Sequence, residues 1–376
     1  MVTLFLIAVW ATGIGGTLWG TWYALKQIHR DPVSAELPPV SILKPVKGID
    51  AGLRRNLAGF FSLDYPEYEL VFAVDSPSDP ARPLIEELMA AYPSVPCRLM
   101  IGDGVVTANP KVSNLLEAYR AAKYETLLIS DSNVRVGPRY LREVVSVWED
   151  DVGIVTAIVA GIDPSEWGGY LEATYLNTFY ARWMYLAQAF GVSTVVGKSM
   201  LFRKSTFERL GGIRTLGCYI AEDYMAGRAM YHLGMRVAIM PAPVSQYIGK
   251  YSFQDFWQRH LRWGRIRKSH APIAFAFEPV FLSVFSGAIG ALAASRLGFS
   301  FGLFLSLHLL LWFACDCLLM KKAGTLRSFV LMSWWVRELL AIPQWIHTAL
   351  GRSVLWRGSR LTLFPGGFLG RLEAQR

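Results

Sequence analysis

The first 25 residues, MVTLFLIAVWATGIGGTLWGTWYAL, contain no charged side chain. A helix of that length covers the roughly 30 Å hydrocarbon core of a bilayer, so the chain is predicted to begin in a membrane. A cleaved signal peptide would carry a basic leading region and a shorter apolar core, and neither is present. Lys26, His29 and Arg30 follow at once, which places that end of the anchor in the cytoplasm by the positive-inside tendency. Residues 271–295 and 301–320 read as two further spans joined by a tight turn, the second closed by Lys321 and Lys322. Asp316 is expected near that boundary, within reach of water and in a structural role. Residues 328–350 are rich in Trp and Leu but carry Arg337, Glu338, Gln344 and His347. The tail beyond them holds Arg352, Arg357, Arg360, Arg371 and Arg376 against Glu373. A span here would export that basic tail, so the segment is expected to lie in the interface or to re-enter.

Hydrophobic residues make up 53% of the chain and charged ones 18%, too apolar for an ordinary soluble enzyme. The net charge of +9 points to nucleic acid, an anionic membrane surface or a phosphorylated substrate. Thirteen Trp residues fit the membrane interface and argue against nucleic acid. Cys97, Cys218, Cys315 and Cys317 lack the spacing of a disulfide framework or a zinc cage.

Between anchor and hairpin, apolar runs of strand length alternate with segments of helical period. Residues 40–43, 69–74, 97–101, 126–129, 153–159, 195–202 and 236–240 predict strands. Residues 53–62, 83–92, 112–122, 140–148, 171–190, 224–232 and 253–267 predict helices. That alternation predicts an α/β domain built on a mostly parallel sheet, with ligands beyond the carboxyl ends of its strands. The expected organisation is an anchor at 1–30, a catalytic domain at 31–270, a transmembrane hairpin at 271–322 and an interfacial helix with basic tail at 323–376. No G-x-G-x-x-G loop follows the first strand and no Walker sequence occurs, which removes the nicotinamide and P-loop readings.

Acids stand at predicted strand ends. Asp75 closes one apolar run, and Asp131-Ser-Asn133 closes another. Residues i and i+2 of an extended segment project to one side, so Asp131 and Asn133 can approach one divalent cation that holds substrate phosphates. The same pattern also makes an Asx-turn, with both side chains bonded to nearby backbone. Glu222 and Asp223 open a helix, where an acid can serve as a cap; for Glu222 the cap and a functional group are equal readings, while Asp223 is the candidate for function. Arg259 and Arg262 lie i, i+3 on one helix face with Trp263 beside them, a geometry suited to a pyrophosphate; Arg265, Arg267 and Lys268 read as lipid-headgroup contacts.

Together these segments resemble the ceramide glucosyltransferase family of membrane glycosyltransferases. The motifs are Lys111-Val-Ser-Asn-Leu115, Ile129-Ser-Asp-Ser-Asn-Val-Arg-Val136, Val196-Gly-Lys-Ser-Met200, Ala221-Glu-Asp-Tyr224 and Arg259-His-Leu-Arg-Trp263. The resemblance implies a GT-A nucleotide-sugar fold with a Rossmann-like, mostly parallel sheet and transmembrane helices at both ends. It implies Asp75 at the uridine of a UDP-sugar, with Lys44 and Lys111 nearby and Glu222 adjoining. It further implies Asp131 on the metal, Asp223 as catalytic base, and Arg259, Arg262 and Trp263 at the diphosphate or the acceptor. Asn133 departs from the Asp-x-Asp of many relatives and leaves the metal site one negative charge short; Mg²⁺ or Mn²⁺ is expected. The implied reaction is inverting transfer of glucose from UDP-glucose to the primary hydroxyl of ceramide, on the cytoplasmic face of a bacterial inner membrane. A hopanoid or diacylglycerol acceptor, a processive polysaccharide synthase and an inactive lipid-binding scaffold are the rival readings.

Overall fold

The computed structural model describes residues 1–31, 36–102, 104–192, 194–356 and 359–369. Arg357, Arg371, Glu373 and Arg376 of the basic tail lie outside them. The chain forms two compact units. One comprises residues 29–163 and 187–249; the other comprises 1–28, 164–186 and 250–376.

The first unit is an α/β layer structure. Its strands are β1 (Val40–Pro45), β2 (Tyr68–Val74), β3 (Cys97–Ile101), β4 (Thr126–Ile129), β5 (Val134–Arg135), β6 (Val152–Thr156), β7 (Val159–Pro164), β8 (Met200–Arg203), β9 (Arg236–Ile239) and β10 (Val244–Gly249). Seven of them form one sheet in the order β3-β2-β1-β4-β8-β6-β9. Pairings β1–β2, β2–β3, β1–β4 and β6–β9 are parallel, as the alternation predicts, and β8 runs antiparallel to both its neighbours. The central strands are buried on both faces, since Ile42, Leu43, Leu70, Val71, Phe72, Leu127 and Leu128 have no exposed surface. Helix Pro110–Ala121 lays Val112, Leu115, Leu116 and Tyr119 against that core.

The reversal of β8 matters for the site. Met200 pairs with Ile129, so the residues just before β8 arrive at the carboxyl end of β4. The expected strand at 195–202 therefore begins only at Met200, and its first residues form a loop at the ligand edge of the sheet. A second, three-stranded sheet, β5-β10-β7, was not expected; β5 is only two residues long and leaves no periodic signal.

The second unit holds the helices expected to lie in the membrane. Val2–Gln27 and Phe301–Lys322 are long and apolar enough to cross a bilayer. The stretch expected as one span at 271–295 is broken: Pro272–Phe281 and Ser283–Arg296 meet at 63°. Leu282 between them is extended, and the preceding short turn carries Glu278 and Pro279. Close crossings use small residues, as expected where lipid supplies no hydrophobic drive between helices. A Cβ on Gly20 would lie 2.8 Å from the Arg182 side chain.

Asp316 departs from expectation. It is fully buried, ion-paired with Arg182, and it accepts a 2.7 Å hydrogen bond from Trp334 Nε1. Arg182 Nε in turn donates to Thr21 at 3.1 Å. The role is structural, but protein groups rather than water satisfy the charge. In helix Val330–Leu350, Arg337 and Glu338 are buried, and Glu338 accepts bonds from the Ser283 hydroxyl (2.5 Å) and backbone N–H (3.3 Å). Strands β11 (Ser353–Trp356) and β12 (Ser359–Thr362) follow as an antiparallel pair where only a basic tail was expected. All four cysteines are free.

Candidate active site

One cluster of charged residues in the first unit lies at the carboxyl end of β4. Asp131 lies two residues beyond β4, and the N-terminus of helix Glu222–His232 brings Glu222 and Asp223 to the same place. Lys111, in the first turn of helix Pro110–Ala121, joins them: its Nζ is 2.8 Å from Asp131 Oδ1 and 2.8 Å from Glu222 Oε1. Lys198, from the loop before β8, lies 3.1 Å from Asp131 Oδ2 and donates a 2.6 Å hydrogen bond to Asn133 Oδ1. The Asp131 carboxylate thus faces two ammonium groups, not the backbone of its own turn, and the Asx-turn reading does not describe it.

These contacts set the acidities. Burial alone would raise Asp131, but Lys111 and Lys198 outweigh it and hold the carboxyl well below its usual range. Burial works against the Lys111 charge as well, and Asp131, Glu222 and Asp223 together overcome it and raise the ammonium above its ordinary value. Asp223 behaves differently. Burial and the neighbouring Glu222 carboxylate push it up to about 6, although Lys111 and two backbone N–H groups pull the other way. Those donors are Gly197 N–H to Oδ2 and Tyr224 N–H to Oδ1, each at 2.8 Å. A carboxylate at a helix N-terminus is normally held fully ionised; here desolvation and a like charge win.

Glu222, the first residue of its helix, turns its carboxylate to Lys111 and Asn109. Its second oxygen accepts from Asn109 Nδ2 at 3.2 Å. Asn109 is fully buried and caps the other helix, accepting from the N–H groups of Lys111 (2.9 Å) and Val112 (3.3 Å). One amide side chain therefore ties the two helix N-termini that present Lys111 and Asp223. The Asn109-Pro110 pair is a cap followed by proline at the first helical position, a start signal that sets this helix two residues ahead of the expected 112.

Two residues expected near the uridine are placed otherwise. Lys44 has no exposed surface; its Nζ donates to the Asp131 carbonyl (2.7 Å) and Ser130 Oγ (3.2 Å) and lies over the Phe60 ring. Burial drives its pKa far down, partly opposed by Asp131. It positions the end of β4 and has no surface to offer a nucleotide. Lys111 belongs to the Asp131 cluster, while the lysine at Asp75 is Lys47, at 2.5 Å. Asp75 itself is 30% exposed at the end of β2, open to a ligand.

Asp131 and Asn133 fit a cation. Their oxygens converge on one positive charge, the Lys198 ammonium, which stands where an ion would. Among the described residues no three His, Cys, Asp or Glu side chains surround a metal position. A divalent ion here would take further ligands from phosphate and water, the usual arrangement for Mg²⁺.

Arg259, Arg262 and Trp263 belong to the other unit, on helix Phe253–His270, which Ser252 and Asp255 open with a capping box. Arg259 Nε is 3.1 Å from the fully buried Glu172, and its guanidinium stacks over Trp263 at 4.4 Å. His260 Nε2 meets the other Glu172 oxygen at 2.8 Å. Trp263 is also 6.0 Å from the Tyr180 ring. Arg262 is partly buried on the same helix. Glu172, which orients the motif, lies 87 residues upstream of Arg259 inside an apolar helix, where an acid carries no recognisable pattern.

The sequence profile of glycosyl transferase family 21 matches residues 3–369. Ceramide glucosyltransferase 3 of Caenorhabditis elegans is 32% identical over 90% of this chain and 76% of its own length. Ceramide glucosyltransferase 1 of the same organism is 30% identical over 92% and 76%. Among solved structures, the mannosyltransferase PcManGT from Pyrobaculum calidifontis, in complex with GDP-Man and Mn²⁺, superposes with a TM-score of 0.54 at 16% identity. That match covers 93% of this chain and 98% of the other, and it agrees with a GT-A fold. The chain is a membrane-associated glycosyltransferase of the GT-A fold and belongs to glycosyl transferase family 21, the ceramide glucosyltransferase family.

Proposed function

We propose that the protein transfers glucose from UDP-glucose to the primary hydroxyl of ceramide, with inversion at the anomeric carbon, on the cytoplasmic face of the membrane. The observation that carries this reading is the pairing of two partly buried carboxylates with opposite acidities around Lys111. Asp131 is held ionised by lysines, and Asp223 is lifted to about 6. An alcohol attacks poorly unless its proton is taken as the new bond forms, and a base whose pKa lies near ambient pH does this best. Asp223 is that base: it is ionised at neutral pH, and its backbone donors at Gly197 and Tyr224 fix its direction. Asp75, at the open end of β2, takes the uridine. Asp131 and Asn133 would hold Mg²⁺ or Mn²⁺, which supplies positive charge beside the departing diphosphate. Lys44 keeps Asp131 in place through its carbonyl, and Glu222 keeps Lys111 in place. Arg259, Arg262 and Trp263 are assigned to the diphosphate or the acceptor; the stacking of Arg259 on Trp263 supports a guanidinium orientation set in advance. The proposed domain organisation is an anchor at 1–30, a catalytic domain at 31–270 of which residues 164–186 and 250–270 group with the second unit, a transmembrane hairpin at 271–322 and an interfacial helix with basic tail at 323–376.

The test is purified protein in detergent with labelled UDP-sugars and a panel of ceramide, hopanoid and diacylglycerol acceptors. Glucosylceramide as the preferred product is expected. Product on another lipid alone would replace the acceptor, polymer without lipid product would indicate a synthase, and no turnover with any pair would return the scaffold reading.

A further inference from the structure

The loop before β8 places a lysine where the cation of this site belongs. Lys198 Nζ contacts Asp131 Oδ2 at 3.1 Å and Asn133 Oδ1 at 2.6 Å, the same two side chains that would ligate a metal. The antiparallel course of β8 is responsible, because pairing Met200 with Ile129 brings the preceding residues to the end of β4. The Lys198 side chain is 14% exposed, so the contact is made in a largely enclosed position. Asp131, Asn133 and Lys198 together carry no net charge: one carboxylate, one neutral amide and one ammonium. Lys111 engages the remaining Asp131 oxygen at 2.8 Å, and Lys44 donates to its carbonyl at 2.7 Å. A bare divalent cation approaching this cluster meets like charges and ligands already engaged.

We propose that Lys198 is a resident counter-cation: its ammonium fills the cation position of Asp131 and Asn133 in the nucleotide-free enzyme and yields it only when metal arrives with the nucleotide diphosphate. The phosphates bring the negative charge that the neutral trio lacks, and they offer the displaced ammonium a new partner of the kind lysine binds as a point charge. Metal uptake is thereby conditional on nucleotide. Asn133 belongs to the same device, since an aspartate there would leave the trio with one net negative charge and an attraction for bare metal. This inference rests on the cation assignment made in the proposed function.

The experiment is Mn²⁺ binding, read from the electron paramagnetic resonance signal of free Mn²⁺, with the full-length protein in detergent. Wild type is expected to bind Mn²⁺ weakly alone and tightly with UDP. Lys198→Gln is expected to bind Mn²⁺ without UDP about tenfold or more tighter than wild type, because a short-range like charge has been removed. Lys198→Arg, which keeps the charge, should behave as wild type, and Lys198→Met serves if the glutamine variant fails to fold. Asp131→Asn should abolish binding in every background, which places the ion at this pair. Equal Mn²⁺ affinity of wild type and both neutral variants without UDP would overturn the inference while leaving the cation assignment standing. Absence of Mn²⁺ binding in all variants, with and without UDP, would overturn the cation assignment and this inference with it.

Discussion

A general base has to be ionised before the reaction and basic enough to take a proton during it. Asp223 meets both demands because burial and Glu222 raise it to about 6, which leaves it ionised at neutral pH. Protonation below that value would remove the proposed base, so the rate is expected to fall as pH drops through about 6 and to be retained above it. A profile of kcat/KM against pH is expected to lose about tenfold per unit below pH 6, the slope of one essential deprotonated group. A profile flat to pH 5 would contradict this. Asp223→Asn keeps the size and one of the two oxygens that accept from backbone N–H groups, while removing the proton acceptor. Turnover should fall by about 10²-fold or more with folding and UDP binding retained. Near-normal turnover would move the search to Glu222. Gly197 belongs to the same group of atoms: a Cβ there would lie 2.7 Å from Lys111 Nζ, 3.3 Å from Asp223 Oδ2 and 3.4 Å from Glu222 Oε1. Gly197→Ala should therefore cost about 10²-fold in turnover, the scale for a catalytic group moved by an ångström, with little change in thermal stability.

Elements bring these residues together, and their joints can be tested as joints. Asn109 caps one helix and holds Glu222 on the next. Asn109→Ala should lose about 1–2 kcal/mol of stability, the usual range for a lost cap, and turnover should fall with it as Lys111 and Glu222 come apart. Thermal unfolding and turnover of the same preparation check both. The elements also show what a sequence discloses. Apolar runs ending in an acid were legible at β2 with Asp75 and at β4 with Asp131, because a buried parallel strand must be apolar until it reaches the ligand edge. The antiparallel turn of β8 was not legible, so Lys198 went unassigned: its partners stand 65 and 67 residues upstream, and nothing local marks a lysine that has a distant carboxylate. Burial likewise separated Lys44 from Lys47. Both are lysines close to the end of one strand, and the sequence cannot tell which of them points inward.

At the scale of the whole molecule, the apolar spans were readable from length and charge, but their interior was not. The break at Leu282 follows Glu278 and Pro279, the one acid and a helix-breaking proline of the stretch read as a single span, while the buried partners of Asp316 come from distant segments. Asp316→Leu leaves Arg182 buried without its carboxylate and should cost about 3–5 kcal/mol, seen as a lower unfolding temperature in detergent. The proposed topology puts the catalytic unit and the C-terminus on one side and the N-terminus on the other. Cysteine labelling of intact and opened cells checks it, and a C-terminal tag that reacts from outside would make residues 328–350 a span. The chemistry has one most direct test. In a single displacement the acceptor oxygen attacks opposite the departing diphosphate, so α-linked UDP-glucose must give a β-linked glucolipid. Proton NMR of the product formed from UDP-glucose and ceramide measures that configuration. The account predicts β-glucosylceramide; an α-linked product would contradict inversion and the role given to Asp223.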